Sequence, residues 1–267
     1  MSVKHSSKFH KRTKEELNDF IKKLELQALE TAEERIPLYL EVGLKEAKLI
    51  LDVGCGSGTV TRDIARLTKG HVIAIDGSAD MIAVAKNVLE KESNVELHVG
   101  SAGALPFPDN TFDVVTCNLL LMWADDPQQV VCEMARVTKK GGVVLASLEP
   151  DYGSKLHYPE NPKVDRIFAG KAIKEKGGDP HIGRKLRCLF VRAGLRTNVG
   201  IGNSRIWGCE EDKAYYLHAR DFYVKALKDA GLAQEEIDTW EYEYLKSLDE
   251  GVQLNFFPQF YAIGRKP

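Results

Sequence analysis

Short apolar runs alternate with amphipathic stretches along most of this chain. Leu49–Val53, His71–Ile75, Val95–Val99, Thr111–Cys117 and Gly142–Leu148 have the length and composition of strands, the first buried on both faces. Between them, apolar positions recur at helical spacing. Thr59–Leu67 is one such stretch, and Asp80–Lys91 is another, with Met81, Val84, Ala85 and Val88 inward. Asp126 caps a third helix, which opens on Pro127, runs to Lys139 and stops at Gly141. Strands alternating with helices predict an α/β fold with a doubly wound, mostly parallel sheet.

The flanking regions read as mainly helical. Thr13 and Glu16 form a capping box before a stripe of Leu17, Phe20, Ile21, Leu24 and Ala28. A second box at Thr31–Glu34 opens a helix to about Gly43, with Pro37 near its first turn. Ile182–Ala193 carries Leu186, Leu189 and Phe190 on one face and ends at Gly194, and a sixth strand follows over Arg196–Ile201. An insertion over Arg205–Gln253 reads as two helices, Glu210–Ala230 and Ala233–Leu248, broken at Gly231. The layout is therefore N-terminal helices (1–44), a sheet domain (45–204 and 254–267) and a helical insertion (205–253).

Composition narrows the class. A formal net charge of −2 argues against general nucleic-acid binding. Arg184, Lys185, Arg187, Arg192 and Arg196 alternate with apolar positions, as on a solvated helix face. The longest apolar stretch, Val114–Ala124, contains Asn118 and is about half the length of a membrane span. Residues 1–14 are polar and basic, without the apolar core of a secretory signal. Cys55, Cys117, Cys132, Cys188 and Cys209 contain no C-x-x-C pair, so no metal site is expected. The chain reads as cytoplasmic, with Cys55 and Cys117 as small buried hydrophobes.

Candidate chemistry concentrates after the first strand, at Asp52-Val-Gly54-Cys55-Gly56-Ser-Gly58. Glycines let the chain turn sharply and bring backbone amides close to a ligand, and the next helix aims its N-terminal amides at the same place. Asp76, at the tip of the second strand, can accept hydrogen bonds from both hydroxyls of a ribose. A dinucleotide loop has the spacing G-x-G-x-x-G, but Thr59 stands where its third glycine belongs. Asp52 beside the loop suits a cofactor with an ammonium group and repels a pyrophosphate.

These residues resemble the first motif of the class I S-adenosylmethionine-dependent methyltransferases. Asp76-Gly77-Ser-Ala-Asp-Met81 is similar to the family's segment around ribose and adenine. Ala104–Val115 is similar to the run into the fourth strand of the subgroup that includes ubiquinone and menaquinone biosynthesis methyltransferases. Lys139–Gly142 resembles the turn before the fifth strand, and Phe260–Lys266 the last strand. The resemblance implies a Rossmann-like seven-stranded sheet with its last strand antiparallel. It also implies S-adenosylmethionine as cofactor, with Asp52, Gly54, Cys55, Gly56, Gly58, Asp76, Gly77, Met81, Ser101, Ala102, Asn118 and Trp123 around it. One position departs from the pattern. The subgroup carries an acidic residue before the Ala that meets the adenine, and this chain reads Gly100-Ser101-Ala102-Gly103. The Ser101 hydroxyl can still accept a hydrogen bond.

Methyl transfer is an in-line displacement, in which alignment supplies much of the rate. A base is required only where the nucleophile starts protonated. Glu149, Asp151, Tyr152 and His157 are the base candidates, Glu149 being nearest a strand tip. His181 has the position of a helix cap, and Trp123 can offer a π-face to the cofactor cation or pack under a helix. The aromatic residues Trp207, Tyr215, Tyr216, Tyr223, Trp240, Phe256 and Phe257 favour a small-molecule acceptor under a helical roof. A protein or RNA acceptor, or a catalytically idle cofactor-binding partner subunit, are the alternatives.

Overall fold

A computed structural model describes residues 14–168, 170–203 and 209–267. The elements, in chain order, are α1 (Lys14–Glu30), α2 (Ala32–Glu41), β1 (Leu49–Val53), α3 (Thr59–Leu67), β2 (His71–Asp76), α4 (Ala79–Val88) and β3 (Val95–Val99). They continue with β4 (Phe112–Cys117), α5 (Pro127–Val137), β5 (Thr138–Pro150), β6 (Leu156–Tyr158), α6 (Pro162–Phe168), α7 (Lys171–Glu175) and α8 (Leu186–Arg192). The last are β7 (Arg196–Asn203), α9 (Cys209–Asp229), α10 (Gln234–Asp249), β8 (Leu254–Phe256) and β9 (Gln259–Arg265).

The chain forms two compact units. The first comprises the described residues up to 149, 182–202 and 260–267, and the second comprises 150–181 and 203–259. A seven-stranded sheet in the order β3-β2-β1-β4-β5-β9-β7 organises the first. The pairs β1–β2, β2–β3, β1–β4 and β4–β5 are parallel. β9 is the antiparallel strand: the start of β5 meets its end through Gly141 N–H to Lys266 O and Lys266 N–H to Gly142 O. Ile50, Leu51, Val53, Val114, Val115, Val144 and Leu145 are all buried, as apolar runs in central parallel strands should be. Ile64 from α3, Leu38 and Tyr39 from α2, and Val42 just after α2 pack into the same core.

Several local expectations change. The capping box at Thr13 lies outside the described residues. The box at Thr31–Glu34 does not form: Thr31 makes no side-chain cap. Its hydroxyl instead donates back to Gln27 O at 2.6 Å and accepts from Arg35. Pro37 sits in the interior of α2, not in its first turn, where it leaves one carbonyl without its helical donor. α4 starts earlier than expected because Ser78 caps it, accepting from Met81 N–H at 3.3 Å. α5 stops at Val137, and β5 begins at once with Thr138, ahead of Gly142. The register of β4 against β5 shifts between Phe112 and Val114, so the Lys139–Gly141 turn is absorbed as an irregularity in the strand.

The second unit holds α9 packed on α10, together with α6, α7 and the small antiparallel sheet β6–β8. Val164, Ile167, Tyr216, Leu227, Leu232, Ile237 and Trp240 form its core. The sequence pattern had marked only α9 and α10 of these elements. β6, β8, α6 and α7 are too short to show a period.

Candidate functional site

Strand order reverses between β1 and β4, whose neighbours lie on opposite sides. In an open α/β sheet this places a crevice beyond the carboxyl ends of those two strands. The glycine loop after β1 fills its near wall. Gly54, Gly56 and Gly58 have φ of 75°, 52° and 82°, a region that costs a residue with Cβ. Gly54 N–H and Cys55 N–H donate to Ile75 O at 2.7 and 3.1 Å, so the loop folds against the end of β2. A Cβ on Gly54 would stand 2.6 Å from Leu120, which follows β4. A Cβ on Gly58 would stand 2.9 Å from Leu89 and 3.0 Å from Ala85 of α4. Gly58 thus permits the close packing that the third glycine of a dinucleotide loop provides. One on Gly56 would meet only Leu24 of α1, at 3.7 Å.

Asp76 closes this loop from the second strand. Its Oδ2 accepts Gly56 N–H at 2.9 Å and its Oδ1 accepts Ser78 N–H at 2.8 Å. An ionised carboxylate has about four acceptor positions, so two remain. Gly77 lies next to Gly100, whose N–H donates to Asp76 O at 2.9 Å. Met81 is buried in the first turn of α4. Ser101 is exposed, and its Oγ accepts Gly103 N–H at 3.3 Å. Ala102 lies half-buried beside it. Arg136 holds the rest of that segment, donating to Leu105 O at 2.9 Å and Phe107 O at 2.8 Å while paired with Glu133.

Asp52 lies beneath the loop. It is 2% exposed, and Oδ2 accepts the Thr61 hydroxyl at 2.6 Å. Burial pushes its carboxyl up to about 6, aided by the Asp76 charge and opposed by Thr61 and Arg35. Arg35, from α2, is fully buried and pairs with Asp63 of α3 at 2.8 Å. Sequence reasoning missed Arg35. Its signal was an arginine between Thr31 and the apolar Leu38-Tyr39, at helical spacing on an inward face. Burial also pushes the Cys55 and Cys117 thiols well above their ordinary value, consistent with small hydrophobes.

After β4, Asn118 Oδ1 accepts the Ser147 hydroxyl at 2.9 Å. Leu119 has φ 52°, an uncommon conformation for a branched residue. Trp123 ends a short 3₁₀ turn, Leu121–Trp123, and is half-buried. The whole turn hangs on Glu149, whose Oε1 accepts Leu120 N–H at 3.0 Å and Leu121 N–H at 2.8 Å. Its Oε2 accepts Met122 N–H at 3.3 Å. Glu149 is fully buried, and burial holds its carboxyl up to about 7 against those three donors. It anchors the loop through these three bonds.

The other base candidates belong to the second unit. Asp151 is fully buried and lies 3.4 Å from His181 Nδ1. His181 does not cap a helix: its own N–H is capped by Asp179 Oδ1 at 3.0 Å. Tyr152 packs on Phe257 with centroids 4.8 Å apart. His157, expected in a loop, lies on β6, with Nε2 2.7 Å from Asp165 Oδ1. His157, Tyr152 and Asp165 line a cavity of about 510 Å³ with Tyr216, Trp240 and Tyr244. Of the predicted roof aromatics, Tyr216, Tyr223 and Trp240 line it, whereas Trp207 and the Tyr215 side chain lie outside the described residues.

Residues 51–146, from β1 into β5, match the family described as a methyltransferase domain. An uncharacterized methyltransferase of Schizosaccharomyces pombe is 36% identical over 224 residues, 76% of this chain and 80% of that protein. The chain belongs to the class I S-adenosylmethionine-dependent methyltransferases. A demethylmenaquinone methyltransferase of Bacillus licheniformis is 37% identical over 163 residues, 55% of this methyltransferase and 70% of that one. The solved YcgJ protein of Bacillus subtilis has the same fold, with a TM-score of 0.59 and 17% identity over 88% of this chain and 99% of its own. So does phosphoethanolamine N-methyltransferase 2 of Haemonchus contortus, solved with S-adenosylhomocysteine, with a TM-score of 0.59 and 18% identity over 88% of this chain and 53% of that one. The matched span carries the glycine loop, Asp76 and the turn held by Glu133 and Arg136. The described residues of this methyltransferase contain no helix long and apolar enough to cross a membrane.

Proposed function

We propose that this methyltransferase acts on a small-molecule acceptor. The observation that carries the reading is the aromatic cavity of about 510 Å³ in the second unit, sized for a compact organic molecule. A protein or RNA acceptor calls for a shallow charged cleft. The relative named as a demethylmenaquinone methyltransferase points the same way.

The glycine loop and Asp76 fit S-adenosylmethionine. Bound there, the cofactor supplies a methyl that its sulfonium makes electrophilic without a metal. The two free acceptor positions of Asp76 would take the ribose hydroxyls. Gly54, Cys55, Gly56 and Gly58 would line the methionine side, with Asp52 adding negative charge from below once ionised, above about 6. Gly77, Met81, Ser101 and Ala102 would surround the adenine, and Asn118 and Trp123 would border the sulfonium end. Ser101 Oγ is engaged with Gly103 N–H but keeps a donor proton and a second lone pair for the base.

The test is transfer of labelled methyl from S-adenosylmethionine into a clarified extract of the source cell, separated by size, with Asp76→Ala as control. Label in the small fraction, absent with the variant, is the expected result. Label confined to macromolecules would overturn the small-molecule reading, and cofactor binding without transfer to any fraction would favour an idle partner subunit.

A further inference from the structure

The first unit brings α1 against the glycine loop. The open side of Gly56, where any other residue carries Cβ, faces Leu24. A Cβ built there would stand 3.7 Å from Leu24 Cδ1, and beyond the loop's own adjoining residues no other described atom lies within 4 Å of it. The Gly56 N–H is held by Asp76 Oδ2 at 2.9 Å, so this gap lies beside the carboxylate that keeps two acceptor positions open. The face of α1 that meets it is half covered. Leu17, Phe20, Ile21 and Leu24 recur at helical spacing and are all half-buried, whereas Ala28, at the C-terminal end of the same stripe, is buried. On α2 and α3, the helices that α1 touches, Leu38, Tyr39 and Ile64 are buried. The C-terminal end of α1 is also tied down. Thr31, just after it, donates to Gln27 O at 2.6 Å and accepts from Arg35, which pairs with Asp63 of α3. One end of α1 is thus fastened, while the other carries an apolar stripe that lacks a full floor.

Apolar surface left in water is a free-energy cost that a ligand beneath it removes. We propose, on the cofactor reading of the glycine loop, that α1 is a lid over S-adenosylmethionine. Leu24 closes on the cofactor beside Gly56, and the N-terminal half of α1 lifts from its fastened end to let the cofactor enter and leave. The bound cofactor completes the floor under Leu17, Phe20, Ile21 and Leu24. It therefore favours the closed position of α1, because it makes contacts there that the open position lacks. Such a lid acts on departure more than on arrival, since the cofactor leaves only when α1 opens. Leu24 is on this account a cofactor-holding residue supplied from outside the strand tips and the glycine loop.

Hydrogen exchange and stopped-flow binding on the full chain with S-adenosylhomocysteine test the lid without any methyl transfer. Amides of residues 17–28 should exchange at least about tenfold more slowly when the ligand is saturating. Leu24→Ala should release the ligand about tenfold faster, with an association rate within about twofold of the unaltered protein's. Alanine is the strongest helix former, so α1 persists in this variant. Leu29→Ala trims a side chain on the same helix that is 67% exposed, and it should leave both rates as they are. Unchanged exchange over 17–28 at saturation, release from Leu24→Ala at the original rate, or equal acceleration by Leu29→Ala would each overturn the lid and leave the cofactor site standing. Failure of the unaltered protein to bind S-adenosylhomocysteine would overturn the site and the lid together, so the two failures are separate results.

Discussion

Asp76 Oδ2 accepts the Gly56 N–H at 2.9 Å, joining the tip of β2 to the middle of the glycine loop. Asp76 therefore shapes the loop as well as presenting acceptors to a ribose. Asp76→Ala removes both, and calorimetry should show S-adenosylmethionine affinity falling by two orders of magnitude or more, on the order of 3 kcal/mol. Asp76→Asn keeps one oxygen for Gly56 and should fall between the two. An unchanged dissociation constant in Asp76→Ala would remove this residue from the cofactor site.

Gly58→Ala should destabilise the first unit by about 2–4 kcal/mol, from the strain of a positive φ and from overpacking. The added methyl would meet Leu89, just past α4, and Ala85 of α4, whose Cβ and main-chain Cα cannot rotate away. Gly141→Ala is the control, because φ is 77° there too but nothing lies within 4 Å of the added Cβ. Urea denaturation should give a clearly larger loss for Gly58→Ala. Equal losses would mean that backbone strain alone sets the need for glycine at 58.

The contrast between Gly58 and Glu149 shows what was legible in the sequence. The strands, the glycine loop and Asp76 were readable because each leaves a local mark: a run of β-branched residues, a cluster of glycines, an acid at a strand end. Glu149 was read correctly as lying near a strand tip, but its task is set by three amides of a segment nearly thirty residues earlier. Pairings of that separation leave no period. His157 failed for a similar reason, since β6 has three residues and finds its partner in β8. Arg35 went unnoticed because a charged residue on a helix is ordinarily assigned to solvent.

Arg35→Met should cost about 3 kcal/mol. The guanidinium is fully buried, donates to Asp63 and to Thr31, and offsets the negative charge of Asp52. Methionine fills the volume but leaves Thr31 and the two carboxylates without that partner. Asp63 is 26% exposed and can turn to water, which keeps the loss toward the lower end for a broken buried pair. Adding Asp63→Asn to Arg35→Met should recover part of the loss. A shift of less than about 0.5 kcal/mol in the single variant would show the pair to be energetically neutral.

Asp52 gives the protein a definite pH response. Its carboxyl rises to about 6 in the folded chain, chiefly through burial, from an ordinary value of 3.8. The folded state therefore holds this proton more tightly than the unfolded state does. Its contribution to stability is full below about pH 4 and is lost as pH rises through 6, where the fold must carry a buried charge. A rise from 3.8 to about 6 corresponds to something on the order of 3 kcal/mol. Glu149, raised to about 7, acts with the same sign in a window that extends further up. Asp52→Asn keeps an oxygen for the Thr61 hydroxyl and has no proton to lose. Thermal midpoints measured from pH 4.5 to 7.5 should fall less steeply for the variant than for the unaltered chain. The slope between 6 and 7.5 should persist in both, because Glu149 is still present. Parallel curves across the whole range would show that Asp52 is ionised in the fold at all these pH values, held there by Arg35 and Thr61 against its burial.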